Sequence, residues 1–256
     1  MVINNIEAAE VLKSLDLISM NKREGLLTGY YEPVIKAFST RKKNTYPIYK
    51  NPKSLKENLQ FLSRKKINTG LLDNQGLEIA YIENEIEAFF LQIQGSGRLI
   101  LEDRSTIKVR YAGSNNKKYT AIGRVLLKKG FLKKEEITMY SIKNWLYNNP
   151  EKSRKIMEEN ERFIYFETYE GKIKGSAGKI LIPGVSVAID NSYIEYGTPL
   201  IVQNVKDEKD VFLAIAHDKG AAIKGENRID LFTGHGKKAE SEAATLNKII
   251  KVWQLK

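Results

Sequence analysis

Cysteine is absent from the 256-residue chain, and only two histidines, His217 and His235, are present. The lack of cysteine excludes disulfides, thiolate metal sites and cysteine nucleophiles. Neither a His-x-x-x-His nor a His-Glu-x-x-His spacing occurs, and there is no Gly-x-Ser-x-Gly elbow, so a zinc site or a serine triad has little support. The segment that begins at Gly95 fails the Gly-x-Gly-x-x-Gly pattern at its last position, and no Walker sequence is present, which argues against nucleotide-phosphate chemistry.

Long apolar segments are also missing. The longest uninterrupted run covers residues 211–216, far short of the roughly 20 residues that a membrane-spanning helix needs. The first residues are polar and mixed, unlike an export signal, so we expect either a cytosolic protein or one whose signal has been removed. With 42% apolar and 29% charged residues, the composition is globular. The length favours two modest domains over one large domain.

Charge of one sign is in excess: 42 Lys and Arg stand against 31 Asp and Glu, a net charge of +11. Such a surface attracts polyanions, among them nucleic acid, anionic lipid and acidic wall polymer. An AT-rich genome produces the same Lys, Asn and Ile bias without selection for binding. The basic residues are spread along the whole chain, whereas a nucleic-acid binder interleaves them with aromatics along one groove.

Hydrophobic periodicity predicts strand-rich ends and a mixed middle. The predicted helices are 6–17, 119–129, two short ones within 138–160, and 243–253. The predicted strands are 25–34, buried strands within 77–94, a hairpin over 99–109 centred on Glu102 and Asp103, and short strands at 163–167, 180–181, 186–189, 199–202 and 211–217. This arrangement suggests one domain inserted into another. We place the boundaries near residues 95 and 180, so that residues 1–95 and 180–256 form a discontinuous domain and 96–179 form the insert.

Three aspartates lie at strand ends in the last part of the chain: Asp190, Asp218 and Asp230. Each by itself is most simply a turn former that accepts backbone N–H groups. Glycines crowd this segment, however, and they let a polymer approach the backbone closely. Two neighbouring carboxyl groups raise the pKa of one of them, which leaves a protonated acid at neutral pH. Glycosidic bond cleavage requires such an acid.

Six motifs, in order, resemble those of the membrane-bound lytic murein transglycosylase A family over about residues 25–255. They are Thr28-Gly-Tyr-Tyr-Glu-Pro, Phe90-Leu-Gln-Ile-Gln-Gly-Ser-Gly, Arg110-Tyr-Ala-Gly-Ser-Asn, Tyr119-Thr-Ala-Ile-Gly-Arg, Trp145-Leu with Asn149-Pro, and the three-aspartate region. The resemblance implies a mainly β protein with some α: a double-psi β-barrel catalytic domain, split in sequence by an inserted β-rich substrate-binding domain, with a glycan groove between them.

The resemblance assigns a role to each aspartate. Asp230, in the Ile-Asp-Leu-Phe context, matches the acid/base of the family. Asp218 matches a groove-lining assistant, and Asp190 a more structural residue beside the substrate. The chain departs from the family in having Lys219 and Ala221 where Thr or Val and a Gly are usual, and Asn115-Asn116 where Asn-Gly is usual. No carboxylate is lost by these changes.

Other residues in the matched motifs are candidates for substrate contact. A strand and its turn are predicted to present one polar face made of Gln92, Gln94, Ser96 and Arg98. Tyr30 and Tyr31 could each offer an apolar ring to a sugar, although on an alternating strand one of the two belongs to the core. Glu32 either binds sugar hydroxyls or caps a turn. The alternative for Arg98 is a surface salt bridge.

The implied function is a lytic transglycosylase that cleaves the β-1,4 bond between MurNAc and GlcNAc of a peptidoglycan strand and leaves 1,6-anhydro-MurNAc ends, without metal or cofactor. The alternatives are a peptidoglycan hydrolase with two working carboxylates and a noncatalytic module that binds polyanions or glycans. The implied partner is a glycan strand and not nucleic acid, and the implied state is a monomer. The implied location is the periplasm, free or attached to the outer membrane through an N-terminal lipid anchor that this chain lacks.

Overall fold

The computed structural model describes residues 17–19, 24–52 and 62–255. In chain order its elements are β1 Leu17–Ser19, β2 Gly25–Glu32, β3 Val34–Phe38, β4 Tyr46–Tyr49, α1 Arg64–Asn68, β5 Glu78–Ile82, α2 Glu85–Gln94, β6 Ser96–Ile100, β7 Thr106–Ser114, α3 Ile122–Lys128, a 3₁₀ turn Lys134–Glu136, α4 Met139–Asn148, α5 Pro150–Glu158, β8 Ile164–Thr168, β9 Ser186–Ile189, β10 Pro199–Asn204, β11 Asp207–Lys219, β12 Arg228–His235, α6 Gly236–Thr245 and β13 Asn247–Leu255. The predicted helix 6–17 lies outside the described residues, apart from Leu17, which begins β1.

The first of two compact units consists of Met1–Gly29, Lys174–Phe232 and Leu246–Lys256. Its seven strands follow the order β1, β13, β10, β11, β9, β12 and β2, and β2 pairs again with β13, so the sheet closes on itself. Strand β9 runs parallel to β11 and antiparallel to β12. The predicted β-barrel, assembled from separate parts of the sequence, is therefore confirmed.

Apolar side chains from alternate strand positions fill the barrel. Successive residues of a strand point to opposite faces, so Ile250 and Val252 of β13 enter the core together. Leu27 of β2 and Val187 of β9 meet them there. This continuous apolar interior supports β9, β11 and β12, the strands on which or directly after which the three aspartates lie.

The second compact unit consists of Tyr30–Ile173 and Thr233–Thr245. Its sheet has the order β4, β5, β3, β6, β7, β8. Strand β3 pairs in parallel with β6, while β6 and β7 form an antiparallel hairpin with Leu99 opposite Ile107. The predicted hairpin around Glu102 and Asp103 is thus confirmed.

Helices cover part of this second sheet. The two short helices predicted within 138–160 are α4 and α5, and Pro150 occupies the first turn of α5, where its missing N–H costs nothing. Leu126 of α3, Leu146 of α4 and Ile156 of α5 share one core with Phe89 of α2. Helix α6 packs Ala239 and Ala243 on Tyr31.

The prediction of buried strands through 77–94 is wrong for its second half. Residues 85–94 form α2, which begins after Asn84, whose side chain accepts hydrogen bonds from Ile86 N and Glu87 N. The helix ends at Gly95, which has a φ of 80°. Its apolar run is unbroken because α2 is buried on two sides: Ala88 and Leu91 join the sheet core, and Phe89 and Phe90 join the helical core.

Two predictions near the C-terminus also need correction. Residues 243–253 are not one helix, since α6 ends at Thr245 and β13 begins at Asn247. Residues 180–181 form no strand; Ile180 makes a single bridge to Lys174. Pairing with distant strands decides these elements, and short apolar runs do not reveal it.

The division between the units also differs from the predicted boundaries. The first break lies at residue 29 rather than 95, because β3 pairs with β6 and so belongs to the second sheet. The second break lies at residue 173, near the predicted 180, and residues 233–245 return to the second unit. That second unit combines a sheet with helices rather than being only β-rich.

No helix in the described part of the chain is both long and apolar enough to cross a membrane.

Candidate active site

Two of the three aspartates, Asp218 and Asp230, lie opposite the same residue of the strand between them. Ala188 of β9 is the register partner of Asp218 on β11 and also of Asp230 on β12. Residues in direct register point to the same face of a sheet, and strands two apart are separated by roughly 9.5 Å. The structure therefore brings Asp218 and Asp230 together on one face, with a single strand between them.

Asp230 is partly buried in the barrel wall. Thr28 donates its hydroxyl hydrogen to Asp230 Oδ1 at 2.5 Å, and Arg228 Nη2 donates to Thr28 Oγ1 at 2.8 Å. Burial raises the pKa of Asp230; the Thr28 hydrogen bond and the charge of Arg228 oppose the rise, and the negative charge of Asp218 adds to it. A carboxyl group with a raised pKa is suited to hold and release a proton.

The Asp218 carboxylate is held in place by hydrogen bonds to one of its two oxygens. Its Oδ1 accepts hydrogen bonds from Ser176 N at 2.9 Å, Ser176 Oγ at 2.8 Å and Lys219 N at 2.9 Å. Three donors on one oxygen fix the orientation of this carboxylate. Asp218 is thus placed as a fixed negative charge near Asp230.

A serine and a histidine also meet in this unit. Ser186 Oγ lies 2.9 Å from His217 Nδ1 and accepts a hydrogen bond from Ile182 N at 2.8 Å. Ser186 has no exposed surface, and burial followed by the charge of Lys179 lowers the pKa of His217. A sealed hydroxyl cannot reach a substrate, so this pair supports the strand ends and provides no nucleophile.

Asp190 closes a loop. Its Oδ2 accepts from Gly225 N at 3.0 Å and its Oδ1 from Ser192 N at 3.2 Å, while Lys224 Nζ lies 3.8 Å from Oδ1. The Gly225 hydrogen bond, more than any other cause, holds the pKa of Asp190 below its usual range. Only 5% of the residue is exposed. The predicted substrate contact changes accordingly to a role in positioning the loop.

The second unit holds the other predicted residues, and burial changes what several of them can do. Tyr31 is 2% exposed, and its hydroxyl donates to Glu240 Oε1 at 2.7 Å. Glu32 is 1% exposed and accepts from Tyr169 at 2.5 Å and Arg98 at 3.3 Å. An internal ring cannot stack on a sugar, and an internal carboxylate with two donors is already satisfied. Direct contact by Tyr31 and Glu32 is therefore corrected to a supporting role.

The predicted polar face of four alternating residues does not exist as a strand. Gln92 and Gln94 lie on α2, while Ser96 and Arg98 lie on β6. Gln92 is buried and accepts from Arg64 at 2.9 Å and from Ile164 N at 3.2 Å, and Ser96 is buried too. Gln94, Arg98 and Tyr30 keep partial exposure.

Gln94 and Arg98 differ in how they are held. Gln94 Oε1 accepts from Tyr31 N at 3.0 Å. Arg98 pairs with Glu32, and its Nε is buried without a hydrogen-bond partner among the described residues. The salt bridge considered for Arg98 is thus present, but it goes to a buried carboxylate.

Sequence reasoning missed Thr28 and Arg228 as contributors to the site. Thr28 begins a matched motif and Arg228 lies two positions before Asp230, yet only the pairing around the barrel shows that Thr28, 202 positions from Asp230, donates to it. Alternation along β2, which sends Leu27 to the core, was the available signal that Thr28 faces the other way. In the described parts of the chain no cluster of three or more His, Cys, Asp or Glu could hold a metal.

The fold is thus a closed barrel whose sequence is interrupted by a second unit, and one of the barrel aspartates, Asp230, has a raised pKa. The family model described as "MltA specific insert domain" matches residues 26–167, and the one described as "3D domain" matches residues 185–256. The chain belongs to the membrane-bound lytic murein transglycosylase A family.

Relatives agree with this membership. Membrane-bound lytic murein transglycosylase A of Vibrio cholerae is 37% identical over 242 residues, 90% of this chain and 65% of that protein. The Escherichia coli K12 protein of the same name is 35% identical, with the same coverage of 90% and 65%. The chain thus spans 65% of the length of these two relatives.

Solved structures are similar as well. A membrane-bound lytic murein transglycosylase from Agrobacterium tumefaciens has a TM-score of 0.85 at 27% identity. The similarity covers 98% of this chain and 78% of the Agrobacterium chain. Escherichia coli MltA with bound chitohexaose has a TM-score of 0.81 at 33% identity. The similarity covers 91% of this chain and 72% of the Escherichia coli chain.

Proposed function

We propose that this chain is a lytic transglycosylase that cleaves the β-1,4 bond between MurNAc and GlcNAc in peptidoglycan and leaves a 1,6-anhydro-MurNAc end. The observation that carries the proposal is the environment of Asp230: a carboxyl whose pKa is raised by burial and which is held by Thr28 on the barrel wall. The names of the relatives, and the chitohexaose bound to Escherichia coli MltA, support a glycan substrate.

In the first step Asp230 is the general acid. Its proton passes to the glycosidic oxygen as the bond to the muramyl C1 breaks, and the electron pair of that bond stays with the departing oxygen. Positive charge develops at C1 in an oxocarbenium-like state. The Asp230 carboxylate formed in this way accepts the Thr28 hydrogen bond, which stabilises it.

In the second step the same carboxylate is the general base. It takes the proton of the muramyl C6 hydroxyl while O6 attacks C1, which closes the 1,6-anhydro ring and restores the protonated acid. The substrate supplies its own nucleophile, so one proton-carrying residue is enough. General acid–base catalysis of this kind contributes about 10²–10⁴-fold.

Hydrolysis by two carboxylates is the nearest competing chemistry. A retaining pair needs carboxyl groups about 5–5.5 Å apart, and an inverting pair about 6.5–9.5 Å. Strands two apart are roughly 9.5 Å apart at the backbone, a spacing nearer to that of an inverting pair than to that of a retaining pair. Asp218 Oδ1 already accepts three hydrogen bonds. Asp218 is better suited to raise the proton affinity of Asp230 than to activate water.

The other predicted residues divide by exposure. Tyr30, Gln94 and Arg98 are partly exposed and are proposed to contact the glycan, the arginine through anionic groups on the peptide stems. Their buried neighbours hold them in place: Tyr31, Glu32, Gln92 and Ser96. Asp190 is proposed to shape the loop next to the catalytic strand.

The proposed location is the periplasm, where peptidoglycan lies, with association to the outer membrane as in relatives that are named membrane-bound. The proposed active form is a monomer on a glycan strand, with no nucleic-acid partner. Neither metal nor organic cofactor enters the proposed reaction.

The test is mass analysis of the products from purified peptidoglycan. Anhydromuropeptides are expected, since O6 displaces the leaving sugar without water. Products with reducing MurNAc ends would replace this proposal with hydrolysis. Absence of cleavage, together with retained glycan binding, would support the noncatalytic module instead.

A further inference from the structure

The second unit contains a cavity of about 320 Å³ that the proposed glycan chemistry does not use. Its volume lies at the lower end of the range of small-molecule sites. Charged groups line it unevenly: three arginines, Arg41, Arg64 and Arg154, and two carboxylates, Asp73 and Glu85. Asp230 and Asp218 are not among its lining residues.

Two of the three arginines have carboxylate partners in the cavity. Arg41 Nη1 lies 2.7 Å from Asp73 Oδ2, and the Tyr49 hydroxyl donates to Asp73 Oδ1 at 2.5 Å. Arg154 Nε lies 2.9 Å from Glu85 Oε1. Both pairs are locally neutral, so neither calls for a further ion.

Arg64 is different because it is 3% exposed and has no carboxylate within ion-pair distance among the described residues. Its guanidinium donates to the carbonyls of Asn160 and Arg162 and to Gln92 Oε1. Its Nη1 has no hydrogen-bond partner in the described ranges and is not among the sealed polar atoms there, so we infer that it faces the cavity.

Two aromatic rings pack against the Arg64 guanidinium. Its Cζ lies 4.7 Å from the centroid of Phe89 and 5.2 Å from that of Phe163. Burial lowers the pKa of Arg64 to about 9, although the negative charges of Glu158 and Glu85 oppose the fall, and Arg64 is still charged at neutral pH. A buried charge without a direct ion-pair partner is costly, and an anion in the adjoining cavity would offset that cost.

We propose that this cavity binds a small organic monocarboxylate, whose oxygens accept hydrogen bonds from Arg64 Nη1 and whose apolar body packs on Ile67, Met157 and Pro47. The lining carries one more arginine than carboxylates, and this single excess positive charge suits a carboxylate better than a doubly charged phosphate. The lining is mostly polar, and Pro47, Ile67 and Met157 are the aliphatic side chains in it that a hydrocarbon portion would contact. Such a carboxylate belongs either to a free acylated amino acid or to the end of a short peptide.

The experiment is isothermal titration of the whole chain with two acids, N-acetyl-phenylalanine and N-acetyl-D-alanyl-D-alanine, each compared with its C-terminal amide. We expect at least one acid to bind with a Kd of about 1 mM or tighter, and its amide at least tenfold more weakly. The acid that binds more tightly identifies the free amino acid or the peptide end as the source. Equal binding of acid and amide, or no binding of either acid, would overturn the proposal.

Variants locate the binding. Arg64→Lys keeps the charge but loses the planar fork, and Ala88→Leu narrows the cavity from α2 while leaving all three arginines in place. Each should weaken acid binding at least tenfold in protein whose thermal transition remains cooperative.

Arg124→Lys, on an exposed face of α3, is the matched control and should bind like the wild type. Unchanged binding in a folded Arg64→Lys or Ala88→Leu protein would show that the ligand binds elsewhere. Glycan cleavage is not needed for this readout, so failure of the proposed activity would be seen separately.

Discussion

Asp190 and Asp230 belong to neighbouring strands of the same barrel, and their surroundings move their acidities in opposite directions. Asp190 follows β9 and accepts two backbone N–H groups, which lower its pKa. Asp230 lies within β12, and burial raises its pKa although Thr28 and Arg228 oppose the rise. The difference teaches that residue type alone does not set the role of a carboxyl group. The balance between hydrogen-bond donors and loss of water decides it.

The largest effect should follow replacement of the proton carrier. Asp230→Asn keeps the size of the side chain but cannot shuttle a proton, so turnover should fall by at least about 10²–10⁴-fold. Glycan affinity should survive. Rates and chitooligosaccharide binding are measured on folded protein. Near-normal turnover here, with loss of activity in Asp218→Asn, would reverse the assignment of the two aspartates.

Asp218→Asn should have a smaller effect, about tenfold on turnover, equivalent to about 1.4 kcal/mol. Removal of its negative charge removes one cause of the raised pKa of Asp230. Asp230 would then lose its proton at lower pH, and the alkaline limb of the pH–rate profile should move down. An unmoved limb would mean that Asp218 acts on the substrate rather than on Asp230.

Thr28→Val should act in the opposite direction on the same limb. The Thr28 hydroxyl favours the ionised form of Asp230, so its loss should raise the pKa of Asp230 further and move the alkaline limb to higher pH. Turnover at the optimum should change by less than about tenfold. Thr28→Ser keeps the hydroxyl and should retain the wild-type profile. A limb that moves down in Thr28→Val would contradict the hydrogen-bond direction.

The smallest effect on turnover should come from Asp190→Ala, because this carboxylate closes a loop. Folded protein should turn over within about twofold of the wild type, while the free energy of unfolding falls by about 1.5–3 kcal/mol, the worth of a hydrogen bond to a charged group. Asp103→Ala, which removes a carboxylate from an exposed turn where it accepts from Ser105 N, is the matched control. Because this carboxylate is fully exposed, the free energy of unfolding should change much less than in Asp190→Ala.

The Asp190 comparison also has a pH dependence. The folded pKa of Asp190 is lowered, so its stabilisation is fully present above the unfolded pKa of about 3.9 and is lost as pH falls through the folded pKa. The difference in unfolding free energy between wild type and Asp190→Ala should therefore close on acidification. A difference that stayed constant down to strongly acidic pH would assign the effect to packing instead.

Local features were the most predictable. The break between α4 and α5 follows from Asn149 and Pro150, and the β6–β7 hairpin from a polar turn between apolar runs. Helix α2 was not predicted because it is buried on two sides. Its apolar residues therefore do not recur with the spacing of a helix that has one exposed face. The capping residues Asn84 and Gly95 are visible in the sequence. They would have predicted the helix despite the missing periodicity.

The site shows the same division between local and distant information. Sequence alone excluded cysteine chemistry, identified the three aspartates and, through six ordered motifs, indicated the family. Tertiary structure decided which neighbours each carboxyl has: pairing of β11, β9 and β12 places Asp218 and Asp230 beside Ala188, and the closure of the barrel brings Thr28 to Asp230. Strand pairing joins residues far apart in the chain, and the pKa of a carboxyl depends on the water that those strands exclude, so neither could be read from the order of residues.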